Sequence, residues 1–91
     1  MASFVVVDAN VIDQEKLAQY SLQAKATLEV YGGRFIAKGK PHLLHGESGY
    51  SSKSIIEFPD EQSALGWYHS EAYQALTDLR EQGIRSTFQL L

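Results

Sequence analysis

The 91-residue sequence contains no cysteine. This absence excludes disulfides, thiolate chemistry, cysteine-ligated zinc and iron–sulfur clusters, and it favours the cytoplasm as the compartment. No apolar run approaches the roughly 20 residues that span a bilayer, and the chain does not open like a secretory signal peptide. We therefore expect a cytoplasmic protein without a membrane segment.

The sequence also has no excess of basic residues, because its net charge is −3. This balance argues against nucleic-acid binding, which needs a basic face. The basic residues are nevertheless concentrated in one segment, where Arg34, Lys38, Lys40 and Lys53 outnumber one acid, Glu47. Two interpretations stay open: a chance grouping on a solvated hairpin, or an entrance that attracts a small anion.

Motifs of the common enzyme classes are absent as well. Gly32-Gly33 follows a predicted helix and precedes a strand, which reverses the order of a dinucleotide-binding loop. His42 and His45 have helical metal-ligand spacing, but they follow Pro41 in a predicted loop, where the two side chains need not converge. The serines near His45 suit a loop better than a hydrolase. We predict no metal and no cofactor.

Alternating strand and helix patterns fill the chain as one domain, residues 1–91. The first helix is predicted from its cap, Asp13, and from apolar positions three and four residues apart, which end at Gly32-Gly33. A second helical region is predicted to begin at Asp60, restart at Ser70 and end at Gly83. The predicted strands are Phe4–Val7, Arg34–Lys38, Lys53–Phe58 and Ser86–Leu91, with a loop over Gly39–Ser52.

This order predicts a ferredoxin-like βαββαβ fold of the α+β class, with an antiparallel sheet and helices on one face only. Because Phe4–Val7 is apolar at consecutive positions, both faces of that strand should be covered. A second copy of the sheet is the natural cover, so we expect a homodimer through the sheet face. For the second and third strands we expect five residue pairs: Arg34–Glu57, Phe35–Ile56, Ile36–Ile55, Ala37–Ser54 and Lys38–Lys53.

Several segments resemble one known family. They are YGGRF at residues 31–35, Glu57-Phe58-Pro59, and the stretch Ala64–Tyr73, followed by Leu76 and Arg80. Together they resemble the domain-of-unknown-function 1330 family over nearly the whole chain. The resemblance implies a dimeric α+β barrel, a group that includes cofactor-free monooxygenases, isomerases and non-catalytic members. His45 departs from the family pattern, which more often has an acidic residue there.

The candidate ligand-binding residues are Tyr31, Trp67, Tyr73 and Arg80. The aromatic side chains are either core filling between helices and sheet or the wall of a pocket for a small organic molecule. Arg80 follows Leu76 by four residues and Tyr73 by seven, so it lies beside their apolar stripe. Its guanidinium either extends to solvent or binds a ligand oxygen at the edge of a dry cleft.

The candidate catalytic residues are Arg34, as an anion-binding group, and His45, as a proton carrier. Arg34 could instead simply pair with Glu57. Two functions follow: a small-molecule site that runs a cofactor-independent oxygenation, isomerisation or other proton transfer, and a non-catalytic dimeric module that binds a metabolite or partner.

Overall fold

The computed structural model describes all residues 1–91. No helix in it is long and apolar enough to cross a membrane. The strands are β1 (Ser3–Val11), β2 (Arg34–Gly39), β3 (Ser52–Phe58) and β4 (Ile84–Leu90), and the helices are α1 (Gln14–Val30), α2 (Glu61–His69), α3 (Glu71–Gln74) and α4 (Thr77–Gly83).

Three predicted helix starts are confirmed by their capping bonds. The Asp13 carboxylate accepts from the Lys16 amide at 3.1 Å, and the Asp60 carboxylate accepts from the Ser63 amide at 2.7 Å. The Ser70 hydroxyl accepts from the Tyr73 amide at 3.1 Å, which starts α3. Each bond satisfies an amide that has no partner within its helix.

The four strands form one antiparallel sheet in the order β2-β3-β1-β4. The helices pack on one face, so the predicted α+β, ferredoxin-like arrangement is confirmed. The alternation along β1 is regular: Val5, Val7 and Ala9 are buried, and the residues between them are half-buried. The core between sheet and helices is centred on three almost fully buried rings, Phe58, Trp67 and Tyr73.

The opposite face of the sheet, here called the outer face, has no helix against it. Phe4, Val6 and Ile55 lie there, only half-buried. Two ion pairs flank them, Arg34–Glu57 at 2.8 Å and Lys53–Asp8 at 3.4 Å. The chain therefore covers one face of β1 and leaves the other apolar face without a partner.

The predicted register of β2 and β3 is correct at one end and wrong at the other. Arg34 pairs with Glu57 and Phe35 with Ile56, as expected, but a β-bulge follows at Ile36. The expected Ile36–Ile55, Ala37–Ser54 and Lys38–Lys53 pairs are replaced by the three pairs Ala37–Ile55, Lys38–Ser54 and Gly39–Lys53. One extra residue reverses the side of the sheet on which each later side chain lies.

The bulge moves Lys38 from the outer face to the helical face. Lys38 pairs with Ser54, which pairs in turn with Val7 on the buried side of β1. Its ammonium group lies 4.4 Å from the centre of the Phe35 ring, within cation–π range. This position also separates Lys38 from Lys53 and so avoids the like-charge pair that the predicted register would have made.

Candidate functional site

A wide cleft opens between α1 and the β2–β3 half of the sheet. Every residue of β2 is exposed, and the helix that makes close backbone contacts with both β1 and β3 is α2 rather than α1. The cleft has a volume of about 1010 Å³, at the upper end of the usual range of roughly 300–1,000 Å³ for small-molecule pockets. Its walls are mainly apolar, with Val7, Ile56 and Leu28 among the lining residues.

The basic residues around the cleft differ in whether they have a partner. Arg34 and Lys53 border it, but their charged ends pair with Glu57 and Asp8. Three further lysines line the cleft without a carboxylate within 4.0 Å, and Glu29 is the one acidic residue in the lining. These lysines are Lys25, Lys38 and Lys40. The margin of this apolar cleft is therefore cationic, which favours an anion with an apolar body.

Beside this cleft, four polar side chains form a buried network around Arg80. Arg80 Nη1 donates to the hydroxyl oxygens of Tyr68 and Tyr73, each at 3.2 Å. The Tyr73 and Tyr20 hydroxyls are 2.6 Å apart. Tyr20 lines the wide cleft together with Trp67 and Phe88, whereas Tyr73 lies behind it.

Arg80 is enclosed although it is charged. Its side chain is 12% exposed, and its one carboxylate partner is Glu81 at 3.3 Å, which is 63% exposed. The Nε atom is buried without a hydrogen-bond partner. Phe88 lies under the guanidinium at 5.1 Å, and a second, smaller cleft of about 280 Å³ borders Arg80, Tyr68 and Phe88. Arg80 therefore borders the smaller cleft only, whereas Phe88 lines both.

The protonation states of this network follow from its burial. Burial raises the pKa of Tyr20, and the neighbouring Tyr73 raises it further. Burial also raises the pKa of Tyr73, although its hydrogen bonds with Tyr20 and Arg80 oppose that shift. For Arg80, burial favours the neutral form, but the hydrogen bonds to Tyr73 and Tyr68 outweigh it and raise the pKa. At neutral pH Arg80 is therefore a guanidinium cation beside the protonated phenols Tyr20 and Tyr73, which can donate hydrogen bonds but do not act as bases.

The structure brings some of the predicted site residues together and leaves others apart. Trp67, Tyr73 and Arg80 meet, with Trp67 and Tyr73 ring centres 4.4 Å apart. Tyr31 packs at the edge of the core, where its ring limits the space beside Gly66. The Arg34 guanidinium binds Glu57, and His45 lies exposed in the loop after β2. Roles for Tyr31, Arg34 and His45 in a site stay predictions.

The sequence alone did not identify four of these residues as site candidates: Tyr20, Tyr68, Lys25 and Lys38. Tyr20 belongs to the apolar stripe of α1, so its position indicated core packing, and its bond to Tyr73 joins residues 53 positions apart. Lys38 appeared only in the basic segment and in the predicted strand register, not as a site residue. His42, His45 and Glu47 do not gather, and no group of three His, Asp or Glu side chains is placed to hold a metal ion.

Comparison with known families decides the relationship that the YGGRF and Ala64–Tyr73 stretches indicated. The model of the family described as "Domain of unknown function (DUF1330)" matches residues 2–91. The chain belongs to the DUF1330 family. No curated protein sequence matches it significantly.

Solved structures similar to this DUF1330 chain share its fold at low sequence identity. A protein of unknown function from Rhodopseudomonas palustris has a TM-score of 0.82 at 15% identity, over 99% of this chain and 80% of that one. SnoaB, a cofactor-independent oxygenase from Streptomyces nogalater, has a TM-score of 0.71 at 11% identity, over 99% and 90%. A dimeric ferredoxin-like protein of unknown function from Jannaschia sp. CCS1 has a TM-score of 0.63 at 12% identity, over 100% and 98%.

Proposed function

We propose that this DUF1330 protein binds a small organic anion with an apolar body in the wide cleft. One observation carries the proposal: the cleft is apolar inside, and its margin holds Lys25, Lys38 and Lys40, none of which has a carboxylate partner. Unpaired cations beside a desolvated apolar surface complement a molecule that has a carboxylate at one end and an apolar body at the other.

Thermal unfolding with three matched naphthalene compounds tests this ligand class. We expect 2-naphthoate to stabilise the protein more than neutral 2-naphthamide or cationic 2-naphthylmethylammonium. A ligand at about 100 times its dissociation constant adds roughly 2.7 kcal/mol to the free energy of unfolding. For a domain of this size, each kcal/mol raises the midpoint by roughly 4–8 °C. Equal shifts from all three compounds would refute the charge argument.

Two lysine variants make the test specific to the cleft. Lys38→Gln should weaken 2-naphthoate binding about threefold, because an exposed ion pair contributes up to about 1 kcal/mol. Lys53→Gln removes the same charge from the next strand, but the Lys53 ammonium pairs with Asp8 on the outer face, so affinity should stay within experimental error. Titration calorimetry at low salt measures both. Equal losses in the two variants would show that the anion responds to the overall positive charge and not to the unpaired Lys38 in particular.

A cofactor-independent reaction on the bound molecule is the second candidate function. It is supported by the neutral phenol and guanidinium groups beside the cleft and by the fold shared with the oxygenase SnoaB. The alternative is a non-catalytic module that binds its ligand unchanged. Mass spectrometry of a bound compound after incubation in air separates the two, since only an enzyme alters the mass or structure of that compound.

We also propose that two copies associate through the outer face. Phe4, Val6 and Ile55 form an apolar patch there that no helix covers, and the similar Jannaschia protein is described as dimeric. Light scattering at micromolar concentration should give the mass of two chains. Val6→Asp should yield a monomer or an aggregating chain, because the aspartate would be buried without a partner. Ile12→Asp, at an exposed turn, should remain a dimer. A wild-type monomer would contradict the proposal.

A further inference from the structure

The direction of the hydrogen bonds around Arg80 can be assigned from chemistry. A guanidinium group has donors and no acceptor, and its Nη1 atom carries two protons. Both protons are used, because Nη1 lies 3.2 Å from the Tyr68 hydroxyl oxygen and 3.2 Å from the Tyr73 hydroxyl oxygen. Each phenol therefore accepts a hydrogen bond from the cation and keeps its own proton free to donate.

Tyr73 has one neighbour that can receive its proton, the Tyr20 hydroxyl oxygen at 2.6 Å. A phenol that accepts from a cation is polarised and becomes the stronger donor of a phenol pair. The chain of donation then runs from Arg80 to Tyr73 and from Tyr73 to Tyr20. Tyr20 makes no other side-chain hydrogen bond, so its proton has no acceptor within the protein.

The position of Tyr20 in the fold indicates where its hydroxyl proton can find an acceptor. Tyr20 lines the wide cleft beside Trp67 and Phe88 and Tyr73 does not, so Tyr20 is the member of this hydrogen-bond chain that a molecule in the cleft can approach, although its hydroxyl is buried. A ligand that reaches this hydroxyl can supply the missing acceptor. We propose that Tyr20 donates a hydrogen bond to a carbonyl oxygen of the ligand, and that the cleft selects apolar carboxylates with a carbonyl group distant from the carboxylate. This inference rests on the anion-binding function proposed above.

Burial keeps the donor in its active form. Because burial and the neighbouring Tyr73 raise the pKa of Tyr20, its hydroxyl holds its proton throughout the neutral range. Arg80 acts on the ligand only through Tyr73 and Tyr20, so it is a positioning residue. Tyr68 also accepts from Arg80, but it borders the smaller cleft and not the wide one.

Two commercial acids of nearly the same shape test the donor. 4-Benzoylbenzoate has a ketone between its rings, and 4-benzylbenzoate has a methylene group there. With the wild-type protein we expect the ketone to bind about fivefold more tightly, since one hydrogen bond contributes roughly 0.5–1.5 kcal/mol net. In Tyr20→Phe the two affinities should agree within about twofold. In Tyr68→Phe, which also loses one phenol beside Arg80, the wild-type preference should persist.

Because the measured quantity is a ratio within one variant, a loss of folded protein changes both affinities equally and cancels. If both acids bind the wild type and the ketone has no advantage, the role of Tyr20 is refuted while anion binding stands. A ketone preference that survives Tyr20→Phe also refutes it. If neither acid binds, the proposed function fails, and the inference fails with it.

Discussion

Replacing Trp67 with alanine should cost about 3–5 kcal/mol of the free energy of unfolding, the range measured for large aromatic truncations in cores. The Trp67 side chain is 1% exposed. Its ring lies 5.4 Å from Phe58 and 4.4 Å from Tyr73, and its Nε1–H donates to the Thr27 hydroxyl at 3.0 Å. The substitution would leave a cavity where α2 meets the sheet.

Chemical denaturation at fixed protein concentration measures this loss. The free energy of unfolding of a natural domain is roughly 5–15 kcal/mol in total, so the variant should be close to the limit of folding. Trp67→Phe keeps an aromatic ring but loses the hydrogen bond to Thr27 and part of the indole volume, so its cost should lie below that of alanine. Leu22→Ala, at a 77% exposed position on α1, should change stability by no more than about 0.5 kcal/mol. A cost below about 1 kcal/mol for Trp67→Ala would show that this ring does not anchor the core.

Gly83→Ala should cost about 2–3 kcal/mol of the free energy of unfolding, the upper part of the range for overpacked sites. A Cβ atom at Gly83 would lie 2.8 Å from the Leu17 amide nitrogen and 3.1 Å from its Cα. These are main-chain atoms of α1, so no side-chain rotation relieves the contact. The Gly83 carbonyl also accepts from the amides of Ile12, at 2.8 Å, and Asp13, at 3.1 Å. Moving α4 away would stretch both bonds.

Gly39→Ala is the matched control. Nothing lies within 4 Å of a Cβ atom at Gly39, and its backbone is not in the left-handed region. The same added methyl group should therefore leave stability unchanged or raise it by up to about 1 kcal/mol, through the unfolded chain. Thermal midpoints of the two variants at one concentration make the comparison. Similar midpoints for both would mean that α1 and α4 can separate at no cost.

The helix starts were predictable because Asp13, Asp60 and Ser70 act locally, each on an amide three residues ahead. Gly83 was predicted to end a helix, and it does, but for another reason than the usual left-handed cap. Its backbone has no positive φ, and β4 follows at once, starting at Ile84 rather than at the predicted Ser86. Glycine is needed at position 83 because α1, about 65 residues earlier in the chain, packs directly against it. No local sequence pattern indicates this close contact.

The candidate site was less predictable for the same reason. The grouping of aromatic side chains followed from their spacing on the helices. The bonds that join Arg80, Tyr73 and Tyr20 depend on how two helices pack, and spacing does not contain that information. The side of the sheet on which Lys38 lies depends on the bulge at Ile36. Because Phe35, Ile36 and Ala37 are all apolar, this strand shows no alternation that could have revealed an extra residue.

The bulge at Ile36 also bears on assembly. β2 is an edge strand, and an edge strand with a regular row of free amides and carbonyls is a template for strand addition by another chain. At Ile36 that row loses its regular spacing, and Arg34 and Lys38 place charges on either side of it. A strand approaching this edge would meet a bend and two cations instead of a continuous ladder. The same extra residue that turns Lys38 towards the cleft therefore protects the protein from edge-to-edge growth into longer sheets.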